Sequence, residues 1–554
     1  MNTIRIKKYL PLIIIAAVLI FLIVCPLVMI FLRAVIRDGR PDFVTAWQTL
    51  TESENAQMIF NSLLLGLLVV IVSTIIAAPL AYLFSRTRFA KYRFFDIIFM
   101  IPFMTPPYIA SMGWILFMQK RGLLQQLIPA AAGSENWFFT LGGLVLVMSL
   151  HVFPFMLTIL KNAMLNIPSS LEEAGAVFGA SFASRLRKIF MPLISGNYAI
   201  GALLVFVKTI AEYGTPATLG KRIGYYVFTT EIHRYATVAP IDFGKSAVLA
   251  SVLVGVCIMM WFLQNYVTSR RSYNLVSGKG SRFTELKLRT PAKILGWAYI
   301  AIVLLLSVGI PNFSVISTSL IDLRGYGFRP GNFTFQHYID LFTENEKGIR
   351  ALGNSLILAV SAATICAVLG TLIVIAVRKS RSKLGKVVEV VGLLPEMLPG
   401  IVLVIGIMLF WNRIYNVIPL YNTLGIMILA YVVLFLPYTI QYVTSSFTQI
   451  SGSLEAAARV FGGSPVYIFR RVTLPLIMKG VFAGWTMTFI IAFRELVTAS
   501  LIAPPNTLVV STYIVREFEQ GSVSVGMAMA VLCVLFTTTA LLILNRSIDR
   551  QKER

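Results

Sequence analysis

Long apolar runs alternate with short polar connections along the whole chain. Six runs fall at 10–33, 58–84, 94–118, 139–163, 195–215 and 245–267, and six more at 294–316, 352–377, 387–412, 422–446, 477–499 and 523–545. A helix rising about 1.5 Å per residue needs about 20 residues to cross a hydrocarbon core of about 30 Å. The pattern therefore predicts twelve membrane-spanning helices. The first run follows a short basic start (Arg5, Lys7, Lys8) and is longer than the apolar core of a signal peptide, so it reads as a retained helix.

The basic residues orient these helices. Clusters fall at the N-terminus, at Arg86/Arg88/Lys91/Arg93, at Arg185/Arg187/Lys188 and at Arg270/Arg271/Lys279/Arg282. Others fall at Arg378/Lys379/Arg381/Lys383/Lys386, at Arg470/Arg471/Lys479 and at Arg546/Arg550/Lys552/Arg554. Counting twelve spans from a cytoplasmic N-terminus puts every cluster inside, as positive-inside topology requires. Both termini are then expected in the cytoplasm.

Composition narrows the class. Of 554 residues, 57% are hydrophobic and only 13% charged, about half the charged share of a soluble domain. The net charge of +24 sits beside apolar runs, so it matches membrane topology and anionic lipid rather than a nucleic-acid partner. The four cysteines (Cys25, Cys257, Cys366, Cys533) lie one to a run, and the three histidines (His151, His233, His337) are scattered. Neither set has metal-ligand or disulfide spacing.

One stretch occurs twice. Leu171-Glu172-Glu173-Ala174-Gly175-Ala176-Val177-Phe178-Gly179, with Pro192 downstream, matches Leu454-Glu455-Ala456-Ala457-Ala458-Arg459-Val460-Phe461-Gly462, with Pro475 downstream, at an offset of 283. Asn61-Ser62-Leu63 recurs as Asn354-Ser355-Leu356, and Pro102/Pro106 as Pro395/Pro399, at 293. Pro154 then recurs as Pro437, and Glu212 as Glu495, at 283. The drop of ten places an insertion in the first half, in the outer loop 119–137, since loops absorb insertions. Six helices per copy is an even number, so the copies are parallel. The expected boundaries are an N-terminal helix and outer loop (1–57), a first transmembrane domain (58–267), a linker (268–293), a second helix and loop (294–351), a second transmembrane domain (352–546) and a tail (547–554).

The repeated stretch resembles the cytoplasmic Glu-Ala-Ala loop of ATP-binding-cassette (ABC) permeases. The resemblance implies an all-α type I importer permease with both halves fused in one chain in a bacterial cytoplasmic membrane. It also implies two copies of an ATPase subunit, an extracytoplasmic solute-binding protein, and ATP bound on the partner rather than here. Glu172, Glu173, Ala174, Gly179, Pro192, Glu455, Ala456, Ala457, Gly462 and Pro475 would then form the coupling loops. The glutamates would be available to cations on the ATPase, Gly179 would stop its helix with positive φ, and the prolines would open the next spans.

Charges inside apolar runs are the pathway or gate candidates: Lys208 and Glu212, four apart on one helix face, and Arg494 and Glu495 in the equivalent helix. A charge at membrane depth faces protein or water, so these residues either line the pathway or fix packing. The stretches Ala211-Glu212-Tyr213-Gly214-Thr215-Pro216 and Arg494-Glu495-Leu496 resemble ferric-iron permeases, which makes iron the expected solute and thiamine or a phosphonate the alternatives. Pro102/Pro106/Pro107 and Pro395/Pro399 are expected to bend their helices, as hinges or as static kinks. No Walker A motif occurs; Gly244-Lys245-Ser246 has Ala239 where the first glycine belongs. With no nucleophile–base constellation either, the chain is expected to transport rather than catalyse. The competing class is a twelve-helix secondary transporter coupled to an ion gradient.

Overall fold

The computed structural model describes residues 2–37, 39–92, 94–270, 288–380, 382–450 and 452–549. The expected linker 268–293 and tail 547–554 lie largely outside them. So do the basic positions Arg93, Arg271, Lys279, Arg282, Arg381, Arg550, Lys552 and Arg554. Among the described residues the chain is almost all helix, with one two-residue hairpin, Ile36–Arg37 against Arg40–Pro41. Ten helices among the described residues are long and apolar enough to cross a membrane. Two bent pairs bring the number to twelve if each is one span.

The bent pairs are the proline sites. Phe94–Met104 meets Pro107–Met118 at 87°, and Lys383–Met397 meets Gly400–Arg413 at 111°. Thr105 and Leu398, the residues before Pro106 and Pro399, are extended, with ψ of 128° and 149°. The proline ring drives its predecessor out of the helical region, so these runs break rather than curve.

The fifth run of each half is displaced from its expected place. The runs 195–215 and 477–499 become helices Phe182–Ile210 and Pro465–Phe493, which start in the repeated loop and stop early. Pro192 and Pro475 therefore lie well inside continuous helices, not at the start of a span. A π-turn precedes each of them, Leu186–Phe190 and Phe469–Thr473. Proline lacks an N–H and its ring collides with the carbonyl four residues back. Here those carbonyls belong to Lys188 and Arg471, the central residues of the π-turns, where the wider turn moves them aside. Pro26 and Pro311 repeat the device over Ile20–Val24 and Leu305–Gly309.

The chain divides into two compact units, Met1–Leu50 with Ile232–Val254 and Thr334–Arg554, and Thr51–Glu231 with Gly255–Phe333. Neither is a sequence half, because the opening helix of each half packs on the other half. In the unit made mostly of the second half, Leu10–Val35 lies on Gly400–Arg413, where Gly406 meets Pro26. A Cβ on Gly406 would stand 2.7 Å from the Pro26 carbonyl oxygen. In the other unit the Thr290–Leu320 helix lies on Pro107–Met118, and a Cβ on Gly113 would stand 2.5 Å from the Pro311 carbonyl oxygen. Glycine lets the two backbones touch, the usual device for helices that gain nothing from hydrophobicity inside lipid.

Candidate functional site

Each repeated loop forms a short helix, Ser169–Val177 in one unit and Gly452–Val460 in the other. Both end in the same way. Gly179 and Gly462 have φ of +76° and +79°. The Gly179 and Ala180 N–H groups donate to the carbonyls of Ala176 and Gly175 at 3.0 and 2.9 Å. Gly462 and Gly463 repeat this to Arg459 and Ala458, both at 3.0 Å. This pair of bonds is the Schellman ending, and it needs a left-handed residue that glycine adopts without strain.

The ending projects two apolar side chains into solvent. Val177 and Phe178 are 84% and 90% exposed, and Val460 and Phe461 have the same two values. A folded chain gains nothing by holding an aromatic ring in water, so the matched pair of edges is a surface open to a partner. Glu173, Ala174, Ala456 and Ala457 are exposed on the same short helices, and Pro192 and Pro475 are exposed on the helices that follow.

The two glutamates each have partners within this chain. Glu172 is buried, with 7% exposure. Its carboxylate accepts from the Tyr82 hydroxyl at 3.4 Å and faces Arg185 at 3.8 Å. Glu455 accepts from the Thr473 hydroxyl at 2.8 Å and pairs with Arg459 at 3.6 Å. Glu172 turns inward, where the nearest donors stabilise its carboxylate, while Glu455 stays part-exposed. They tie each short helix to the helices that carry it, and a partner's cation would have to displace these contacts. The first loop is held harder. Arg86, itself buried, donates to the carbonyls of Met164 and Ile167 at 2.6 and 2.8 Å, where Leu141–Leu165 runs out of backbone partners.

The intramembrane charges also take defined places. Lys208 and Glu212 do not share a helix face, because the helix stops at Ile210. Both oxygens of Glu212 accept the Thr215 N–H, at 3.0 and 3.1 Å. Glu495 accepts from the N–H groups of Val497 and Thr498 at 2.8 and 2.9 Å. Each carboxylate thus starts the next helical turn, satisfying backbone donors that the break exposes. The repeated Asn-Ser pair pins the return strand of chain. Asn61 donates to the Tyr226 carbonyl and Ser62 accepts the Phe228 N–H. Asn354 donates to Leu508 and Ser355 accepts from Val510 in the same way. Lys208 stands 6.0 Å from the Phe155 ring centroid, and Arg494 adjoins Glu495 at the second break.

Two segments, 70–273 and 352–554, match the family model for the inner membrane component of binding-protein-dependent transport systems. The chain belongs to this family. The permease is 27% identical over 525 residues to the ferric transport system permease protein FbpB of Actinobacillus pleuropneumoniae, covering 92% of this chain and 73% of that one. It is 23% identical to the Fe(3+)-transport system permease protein FbpB 2 of Haemophilus influenzae, covering 95% and 97%. A shorter relative, the putative 2-aminoethylphosphonate transport system permease protein PhnV of Salmonella typhi, is 26% identical over 237 residues, which is 43% of this permease and 89% of that protein. The fold and the family agree on a multi-pass ABC-importer permease, and the ion-gradient transporter is set aside.

Sequence reasoning about this permease missed the Val177-Phe178 and Val460-Phe461 edges. The signal was present: the dipeptide is identical in both copies, and it precedes a helix-ending glycine in a loop rather than a span.

Proposed function

We propose that this permease forms the translocation pathway of an ATP-driven importer of ferric iron, with its repeated loops on the cytoplasmic face and both termini on that side. Each short helix seats on one copy of an ATPase subunit, two copies in all. ATP is bound and hydrolysed there, and a solute-binding protein delivers the cargo on the opposite face. The observation that carries the coupling role is the pair of apolar edges, alike in geometry and in exposure. Iron is favoured because the ferric relatives align over nearly the whole chain, whereas the phosphonate relative aligns over one half.

The test is Phe178→Ser with Phe461→Ser. Both rings are in solvent, so membrane abundance stays at the parent level while the ATPase no longer co-purifies and uptake is lost. Retained co-purification would remove the docking role. Uptake of labelled ferric iron, a phosphonate and thiamine, with and without the chain, decides the cargo.

A further inference from the structure

Glu396 lies inside the second half's bent pair, Lys383–Met397 with Gly400–Arg413, yet neither the family's loop nor the helix-break carboxylates account for it. It stands at the end of Lys383–Met397, one residue after Pro395. Ten residues separate it from Lys386, so at about 1.5 Å per residue it is about 15 Å from the basic end of its helix, half of a core of about 30 Å. At that depth its side chain is exposed rather than packed. It accepts a hydrogen bond from the Gln441 amide, also exposed, on Leu424–Thr448. Gln441 is seven residues from the end of its helix, about 11 Å by the same rise. Tyr438, half-buried, lies one turn earlier on that helix.

The first half does not repeat this set at the corresponding positions; its polar pair between the same two elements, Asp96 with Lys161, lies nearer the basic end. At the corresponding positions, offset 293 for Glu396 and 283 for the others, stand Phe103, Phe155 and Thr158. The Phe103 and Phe155 rings pack edge to face at 4.9 Å. The polar set is therefore not part of the shared scaffold, which both halves build without it. A carboxylate and an amide that are exposed at mid-membrane depth cannot face hydrocarbon without a large desolvation penalty, so they face water.

We propose that Glu396, held by Gln441 and flanked by Tyr438, is a station of the translocation pathway that meets a hard, oxygen-seeking cation in transit. This deepens the ferric-iron reading and rests on it for the cargo. Carboxylate, amide and phenol oxygens are the donors such a cation prefers. A single carboxylate keeps the contact weak, and a site that must release its cargo inward requires that.

The experiment uses the full transporter in membranes, with Cys25, Cys257, Cys366 and Cys533 replaced by serine or alanine. Glu396→Cys is treated with a membrane-impermeant cationic thiosulfonate beside Val368→Cys. Val368 is 56% exposed at a similar depth on Glu346–Arg378 and serves as the lipid-facing control. The expected result is modification of the Glu396→Cys variant at least about tenfold faster than the control. In parallel, Glu396→Gln lowers ferric uptake by about tenfold at parent abundance, and Glu396→Asp restores most of it. Equal labelling of the two cysteine variants, or parent-level uptake by Glu396→Gln, overturns the proposal. Fast labelling in a transporter whose parent carries no ferric iron overturns the cargo reading and supports the pathway position, because the labelling does not depend on the solute.

Discussion

The two loop-ending glycines give the cleanest perturbation. Gly179 and Gly462 have φ of +76° and +79°, and a Cβ added to either would meet nothing within 4 Å. Alanine there adds no clash with the rest of the fold, so its whole effect is the backbone cost of a left-handed L-residue, about 1–2 kcal/mol. Asparagine, which tolerates that region, should cost less, and β-branched valine more. A loop relieves the strain by opening the two Schellman bonds, which moves Val177-Phe178 or Val460-Phe461 away from the docking edge. A cost of 1–2 kcal/mol corresponds to about a 5–30-fold fall in the ratio of formed to opened loop. The loops belong to separate units, so their costs should add. The assay is ferric uptake and ATPase co-purification, at matched membrane abundance, for Gly, Asn, Ala and Val at both positions. The expected order is Gly, Asn, Ala, Val in both readouts. Alanine and valine variants that transport like the parent would refute the reasoning, because no steric escape exists to hide the strain.

The remaining expectations concern packing and the buried carboxylates. Gly113→Ala or Gly406→Ala forces a methyl group onto a partner backbone at 2.5–2.7 Å and should cost about 1–3 kcal/mol. Thermal unfolding in detergent should show the loss, while Gly353→Ala, in open space within its helix, should be neutral or slightly stabilising. Glu212→Gln and Glu495→Gln keep an accepting oxygen at each helix start and should retain uptake, whereas the alanine variants should lose about 0.5–2 kcal/mol of stability. Gln variants that fold normally but fail to transport would return these residues to the pathway. Glu172→Ala strips the partner from Arg185 in a nearly buried setting and should cost about 1–3 kcal/mol. Glu455→Ala, at a side chain 32% exposed, should cost about 0.2–1 kcal/mol. Equal losses, measured by unfolding of the two variants side by side, would mean that the first loop is not the more firmly anchored.

The sequence by itself determined the class, the apolar runs of span length and the repeat. Apolar runs of span length leave the backbone only the helix as a way to satisfy its polar groups in lipid, and in-register Gly179/Gly462 and Pro192/Pro475 mark the same loop twice. It also determined the left-handed helix endings, because a local backbone demand at one residue needs nothing from the rest of the chain. Tertiary structure decided what depends on residues distant in sequence. Glu172 and Glu455 look like surface charges until Tyr82, Arg185 and Thr473 are brought beside them. Lys208 and Glu212 share a face only if the helix continues, and the backbone donors captured by Glu212 stop it. The opening helix of each half packs on the other half because Gly113 fits Pro311, and Gly406 fits Pro26, across almost 200 and almost 400 residues of chain. No local pattern records such a fit, since the free energy of close packing belongs to the pair of surfaces and to neither sequence alone.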